Sequence, residues 1–431
     1  MKSKKLIFLE KILRLMAIAV LKRHKPKIVA ITGSVGKTSS REAIFTVLSY
    51  RYNVRENQKN YNNEIGIPLT IIGAESGNKN IFKWIWVFFK WIFILVFPFY
   101  PEILVFELGV DRPDDMKYFM SFIHPMVGVV TNVSLSHIEF FNTVENIAKE
   151  KRILIESLNP DGYAILNTDE ELVMEMANRT KAHVLTYGLN ENATVNGSNL
   201  IYNYENESPE GISFKLNYDG KNIPIRLKNL LASHYVYPAL AAVSVGIIFK
   251  MNLVDIAQAI ESFRAPLGRL NLLPGIKGSY IIDDTYNASP ISTIAALGVL
   301  GQLRAKRKIA VLGDMLELGD QTESGHKEVG KKIFSENIDA FIAVGNRMQH
   351  TVGQLITLGF PEQNILRFDD PEKAAEKISQ FIKEGDFVLV KGSQGMRMEK
   401  IVEKIIADPT QAKKLLCRQN KEWKKKPFVR L

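Results

Sequence analysis

Between Val29 and Leu48 the chain reads VAITGSVGKTSSREAIFTVL. A β-branched apolar run closes on Thr32, two glycines stand three residues apart, and a helical pattern begins at Lys37. A buried strand, a glycine loop and a helix in this order gather backbone N–H groups and a helix N-terminus around one point, an arrangement that cradles phosphate. Gly33 and Gly36 let the backbone approach an anion closely, and Ser34, Val35 and Ser39 complete the expected nucleotide-binding loop. Lys37 is placed to neutralise β and γ phosphates, and the Thr38 hydroxyl to ligate magnesium. The spacing departs from the general P-loop, G-x-x-x-x-G-K-[ST], because Ile31 stands where its first glycine belongs. An incidental Gly-Lys-Thr in a plain strand–turn–helix is the competing reading, and the flanking strand and helix weigh against it.

From Lys27 onward, short β-branched runs alternate with helical patterns. KIVAITG, EILVFELG, MVGVVTNV, GYAILNTD and AHVLTYG are the strands expected of the first half, a rhythm that implies a mainly parallel, helix-covered sheet. From Ala193 to Leu231 the pattern changes to polar–apolar alternation broken by turn residues, which predicts an antiparallel section. Pro266 and Gly268 in RAPLGRL then interrupt the helical pattern. A second alternating series follows, with strands at YIIDDT, KIAVLGD, AFIAVG, ILRFDD and FVLVKGS. The expected fold class is α/β: a P-loop central domain with a mainly parallel sheet plus an antiparallel section, followed by a Rossmann-like C-terminal domain. The boundaries read as a basic amphipathic helix at 1–26, a central domain at 27–265 with an apolar insertion at 80–100, a C-terminal domain at 266–408 and a basic tail at 409–431.

The 431 residues are enough for two or three cored domains. A net charge of +10 raises nucleic acid, an anionic membrane or phosphorylated substrates as partners. Lys and Arg crowd into both ends, however, and no nucleic-acid motif accompanies them, so no nucleic-acid partner is expected. The single cysteine, Cys417, excludes an internal disulfide framework and any multi-cysteine zinc site, which fits the cytoplasm. Glu10, Lys11 and Arg14 interrupt the N-terminal apolar run, which therefore does not read as a secretion signal.

The shortened loop TGSVGKTS resembles that of the Mur ligase family, T-G-T-x-G-K-T/S, with Ser34 in place of the second threonine. The resemblance extends from Lys27 to about Ile406. NYNNEIGIPLT at Asn60 to Thr70, VLGDMLELGDQTESGHKEVG and LVKGSQGMRMEKIV are similar to segments of the family branch that adds D-alanyl-D-alanine to UDP-N-acetylmuramoyl-tripeptide in peptidoglycan synthesis. The resemblance implies an ATP-dependent carboxylate–amine ligase that forms an acyl phosphate, uses two Mg2+ ions and takes small-molecule substrates. By it, Glu107 of VFELG is a magnesium ligand, at the strand end where an open α/β sheet presents its ligands. In TNVSLSHIEFFNTVENIAKEKRIL, His137 is implied as a second-magnesium ligand and Lys151 as the lysine the family carbamylates. Lys149, two residues away, leaves that register open. A carbamate turns an ammonium into an anionic oxygen ligand suited to hard magnesium.

In ASHYVYPALAAVSVG, Tyr235 and Pro238 replace two asparagines of the family pattern, which makes Tyr235 a candidate to stack on the base. The implied catalytic set is Lys37, Lys151, His137 and Arg269. Asp284, Tyr286 and Asn287 border the nucleotide from the second domain, where Ser289 departs from the family's asparagine. Asn62, Asn63, Lys391 and Ser393 are candidates for holding substrate anions.

Two features depart from the family. Residues 1–26 alone precede the ATP-binding strand, so the separate uridine-nucleotide-binding domain is expected to be absent, which opens a different carboxylate–amine pair as the substrate. The segment NIFKWIWVFFKWIFILVFPFY, 80–100, is nearly long enough to span a bilayer. A crossing there would put Lys37 and Glu107 on opposite sides, although both must meet one ATP. Two readings remain: an in-plane amphipathic helix making peripheral contact with the inner face of a membrane, together with the N-terminal helix, or an apolar hairpin packed on the protein or a partner. A non-catalytic nucleotide-binding scaffold is a third class of function, disfavoured by the intact set of site residues.

Overall fold

The computed structural model describes residues 4–58, 61–78, 80–134, 141–206 and 208–430. They divide into two compact units, the first made of 1–200, 213–227 and 234–263, the second of 201–212, 228–233 and 264–431.

The first unit is built on β1 (Lys27–Thr32), β2 (Val54–Glu56), β3 (Ile103–Glu107), β4 (Val127–Val130), β5 (Tyr163–Asn167) and β6 (His183–Gly188). The sheet runs β2-β3-β1-β4-β5-β6 and continues into β7 (Val195–Glu205), β8 (Ser208–Tyr218) and β9 (Lys221–Lys228). Pairing is parallel from β2 through β7. β8 turns into β9 through Asp219-Gly220, both at positive φ (49° and 69°), the signature of a type I′ hairpin. The mixed α/β fold with mainly parallel sheets and an antiparallel section is therefore the one the sequence rhythm implies. The short edge strand β2 was not legible, because three partly buried residues carry no periodicity.

β1 lies between β3 and β4, which satisfy both its edges, the Lys37–Ser49 and Val144–Glu156 helices pack on it, and Ile28 to Thr32 are buried. This explains the uninterrupted apolar run where a half-exposed strand would alternate. The following helix, Lys37–Ser49, buries Ala43, Ile44, Val47 and Leu48 against the Val236–Ile248 helix. Small residues there permit close approach: a Cβ on Gly246 would come within 3.1 Å of Val47 Cγ1.

The 80–100 segment is one helix, Ile81–Val96, and not a hairpin; Asn80 caps it, its side chain accepting from the backbone of Phe82 (2.9 Å) and Lys83 (3.3 Å). Among the described residues no helix is long and apolar enough to cross a membrane.

The second unit holds a six-stranded sheet of order β10-β11-β15-β12-β13-β14, from β10 (Asn271–Pro274), β11 (Tyr280–Asp284), β12 (Arg307–Gly313), β13 (Ala340–Val344), β14 (Ile365–Phe368) and β15 (Asp386–Lys391). All pairs are parallel except β10 with β11. The basic C-terminal stretch folds onto this unit. Glu399, buried, accepts from Arg397 Nε at 2.6 Å and Arg418 Nε at 3.3 Å, and the backbone of Val429 bonds to Gly395 at 2.8 Å.

Candidate functional site

The loop after β1 is held by its neighbour, the loop after β4. Thr131 Oγ1 donates to the Val35 carbonyl at 2.6 Å, the Asn132 side chain accepts from Val35 N at 2.7 Å, and the Asn132 carbonyl accepts from Ser34 N at 2.9 Å. Ser34 Oγ donates to the Ser134 carbonyl at 3.1 Å. Gly33 (φ 150°) and Gly36 (φ 82°) occupy backbone conformations that side chains disfavour, and a Cβ on Gly33 would fall 1.9 Å from Thr131 Oγ1. Gly36 sits at the N-cap of the Lys37–Ser49 helix, so Thr38 and Ser39 lie in its first turn. Val35 is exposed at the loop's crest.

Two lysines converge on one carbonyl. Lys37 Nζ donates to Gly33 O at 2.7 Å and to Ser34 O at 3.1 Å, and Lys151 Nζ donates to the same Gly33 O at 3.0 Å. Lys151 is buried on the Val144–Glu156 helix, whereas Lys149 is exposed, so Lys151 is the one that faces the loop. Burial, assisted by the positive charge of Lys37, lowers the Lys151 pKa to about 7. Its near neighbour Glu150 has another task, accepting from the backbone of Asp114 (3.1 Å) and Met116 (2.8 Å).

Glu107 stands opposite Ile31 in the β1–β3 register, two residues before Gly33. It is buried, with Arg41 Nη1 3.8 Å from its carboxylate. Arg41, one turn after Lys37, also lies 2.9 Å from Glu56 and donates to the Asn57 carbonyl at 2.5 Å. The Asn57 side chain clamps Glu107 from both sides, accepting from its N–H at 2.8 Å and donating to its carbonyl at 3.2 Å. Burial raises the Glu56 pKa to about 7, although Arg41 pulls the other way. Arg41, Asn57, Thr131 and Asn132 were not singled out from sequence; a buried arginine inside SREAIF looks like any solvated helix charge.

Asn62 and Asn63 adjoin this strand end. The Asn62 carbonyl accepts from Gly109 N at 2.9 Å, and the Asn63 side chain accepts from Gly66 N at 2.9 Å, starting the Gly66–Ile72 helix. His137 lies outside the described residues, as does Asn60. The idea of Tyr235 stacking on a base is corrected: its ring is 1% exposed and packs edge-on against Phe263, centroids 6.2 Å apart.

In the second unit, Asp284 and Lys391 end the adjacent strands β11 and β15 in register and form a buried pair, with Nζ 2.6 Å from Oδ2. Lys391 also donates to the Asn287 carbonyl at 2.9 Å, so its charge is spent inside the unit rather than on a solvated strand cap. Ser393 Oγ accepts from Leu316 N at 2.8 Å, and Asn287 Oδ1 accepts from Gln394 N at 3.3 Å. Arg269 lies over the Tyr286 ring, 4.2 Å from its centroid. Asp284, Tyr286, Asn287, Lys391 and Ser393 are thus one cluster at the C-terminal strand ends, where doubly wound sheets bind ligands.

Among the described residues no group of three His, Cys, Asp or Glu side chains is arranged to hold a metal. The oxygen donors at the first strand ends, the Thr38 hydroxyl and the Glu107 carboxylate, are of the kind a hard cation takes.

A glycine loop between a buried strand and a helix, pinned by the loop after β4 and with two lysines on its carbonyl, defines a P-loop α/β protein. Residues 98–246 match the Mur ligase middle domain and residues 268–394 the Mur ligase, glutamate ligase domain. The UDP-N-acetylmuramoyl-tripeptide–D-alanyl-D-alanine ligase of Bacillus subtilis is 30% identical over 404 residues, covering 92% of this chain and 79% of the relative. The enzyme of the same name from Escherichia coli is 26% identical over 389 residues, covering 90% and 78%. Among solved structures, the MurF ligase of Thermotoga maritima in complex with ADP has a TM-score of 0.72 at 25% identity, covering 94% of this chain and 84% of that one. MurF of Acinetobacter baumannii reaches 0.75 at 24% identity, covering 91% and 79%. The chain belongs to the Mur ligase family.

Proposed function

We propose that the chain is an ATP-dependent ligase that joins D-alanyl-D-alanine to the terminal carboxylate of UDP-N-acetylmuramoyl-tripeptide in peptidoglycan synthesis. The observation that carries this reading is the pair of lysines on the Gly33 carbonyl at the mouth of a helix N-terminus, within a family whose relatives bear that activity's name. ATP transfers its γ-phosphoryl group to a carboxylate oxygen; the amine then attacks the acyl carbon, phosphate leaves with the C–O bonding pair, and the amine loses a proton. Carboxylate oxygen is a poor leaving group and phosphate a good one. The protein's part is to hold two anions together and offset their charge.

Residues 33–39 would bind the phosphates, with Lys37 over the β and γ groups. Arg269, Asp284, Tyr286 and Asn287 are the second unit's candidates for the nucleotide, and Asn62, Asn63, Lys391 and Ser393 for substrate anions. Mg2+ would be held by Thr38 and Glu107, and a second ion by His137 and a carbamylated Lys151; it supplies charge neutralisation on the phosphates. A lowered Lys151 pKa supports carbamylation, because the neutral amine is the form that adds CO2. A cytoplasmic setting with peripheral membrane contact through 80–100 and the N-terminal helix completes the reading.

Mass analysis of products from ATP, UDP-N-acetylmuramoyl-tripeptide and D-alanyl-D-alanine tests it. The expected product is the dipeptide adduct with one ADP. ATP turnover only with other acceptors would move the chain to a different carboxylate–amine pair, and no turnover at all would leave a nucleotide-binding scaffold.

A further inference from the structure

The Ile81–Val96 helix is turned inside out relative to a surface helix. Its packed stripe is Trp84, Val87, Trp91 and Ile94, spaced three or four apart, set against the first unit's core. Two residues beyond each, on the opposite face, stand Trp86, Phe89, Phe93 and Val96, all exposed. Phe82 is 78% exposed, Trp86 69% and Phe99 83%. Helices apolar all round are ordinarily buried, and a contiguous apolar surface of this kind marks an interaction site.

The N-terminal helix packs against this one and carries exposed apolar residues of its own. Lys4–His24 is fastened to Ile81–Val96 by Trp91 Nε1 donating to the Met16 carbonyl at 2.9 Å and by His24 Nε2 at 2.8 Å from the Ile94 carbonyl. The His24 ring also stacks on Tyr100, centroids 4.5 Å apart. From this helix Phe8 and Leu15 are exposed by about two thirds (66% and 67%). The exposed charges on the two helices and the turn after the first are basic, Lys11, Lys22, Arg23, Lys25 and Lys83, with Glu10 half-buried and Glu75 and Glu102 exposed just outside the second helix's segment. No Asp or Glu occurs from 80 to 101. Lys90 does not interrupt the face, since its ammonium turns inward to the Gly73 carbonyl.

We infer that the two helices form a single lipid-inserting face that lies in the plane of a bilayer and selects anionic headgroups. This deepens the peripheral contact proposed above and is independent of the ligase chemistry. Of the helix's three tryptophans, Trp84 and Trp91 pack inward and Trp86 stands on the exposed face, and indole is a side chain that settles at the headgroup level. At 16 residues that helix reaches about 24 Å, short of the ~30 Å hydrocarbon core, so it lies on the membrane rather than through it. Apolar area with a mainly basic rim is the signature of interfacial helices that bind negatively charged lipid. A second copy of the chain would meet the basic rim with its own basic rim, which disfavours self-association through this face.

The test is co-sedimentation of the full chain with vesicles of pure phosphatidylcholine and of phosphatidylcholine with phosphatidylglycerol, at low and high salt, for the wild type and for Phe89→Glu/Phe93→Glu. The expected result is binding to the phosphatidylglycerol vesicles that salt weakens and that the double variant loses by at least about tenfold, with thermal melting and ATP turnover in solution unchanged. Equal binding to both vesicles would overturn the anionic selection and leave the peripheral contact standing. Binding that the double variant retains would overturn the assigned face. Absence of vesicle binding, with a concentration-dependent dimer that the double variant dissociates, would overturn both the inference and the peripheral contact.

Discussion

Lys151 Nζ lies 3.0 Å from the carbonyl oxygen of Gly33, sharing that acceptor with Lys37 from the following turn. Burial disfavours the Lys151 ammonium and the Lys37 charge on the same carbonyl adds to the cost, so Lys151 gives up its proton near pH 7 instead of 10.5. The neutral amine required for carbamate formation is therefore well populated at physiological pH. With carbon-13-labelled bicarbonate, the wild type is expected to show a carbamate resonance at pH 8 that fades as pH falls below about 7. Lys151→Ala should lack it. A resonance that persists in that variant would assign the carbamate to another lysine.

Lys37→Ala removes the positive charge aimed at the phosphates while leaving Gly33, Gly36 and the loop's bonds to Thr131 and Asn132 in place. Turnover of ATP is expected to fall by at least about a hundredfold, the scale of losing one preorganised charge-stabilising group. The melting curve should not move, because the helix keeps its packing through Ala43, Ile44, Val47 and Leu48. ADP release at the wild-type rate would remove the phosphate-binding assignment.

The strands that carry the site were legible because β1, β3, β11 and β15 are covered on both faces, and such strands write themselves as apolar runs ending on polar residues. Thr32, Glu107, Asp284 and Lys391 all stand at such ends. The supporting partners were not legible. Arg41 and Asn57 reach Glu107 only because β2 forms the sheet edge beside β3, a long-range pairing that local pattern does not encode. Lys149 and Lys151 are equivalent in sequence, and the helix phase relative to Gly33 separates them. The 80–100 segment announced its hydrophobicity, but which side of it faces the core is set by the N-terminal helix that packs against Trp91.

Asp284 and Lys391 form a pair in which both side chains are almost wholly shielded, at 9% and 2% exposure. Burial raises the Asp284 pKa, and Lys391 is the main influence holding it down. Lys391→Met should destabilise the second unit by about 3–5 kcal/mol, since it strands a buried carboxylate. Adding Asp284→Asn should restore most of the loss. A double variant no more stable than Lys391→Met in urea titration would show that the two side chains act separately.

Asp283, the preceding residue, is fully buried and has Oδ1 satisfied by the Thr285 hydroxyl at 2.6 Å, whereas Oδ2 has no hydrogen-bond partner among the described residues. Burial pushes its pKa from 3.8 up to about 7, with the Thr285 bonds opposing and the Asp284 charge assisting. A carboxyl whose folded pKa is raised binds more protons folded than unfolded between those two values, so its contribution to stability declines as pH rises from about 4 to about 7 and is flat beyond. Asp283→Asn abolishes the titration while keeping the shape. Its melting temperature, compared with the wild type, should show a gain that grows across that window and then levels off above pH 7. A gain that is constant from pH 4 to 8 would mean that Asp283 stays ionised in the fold, held by the Thr285 hydroxyl and backbone.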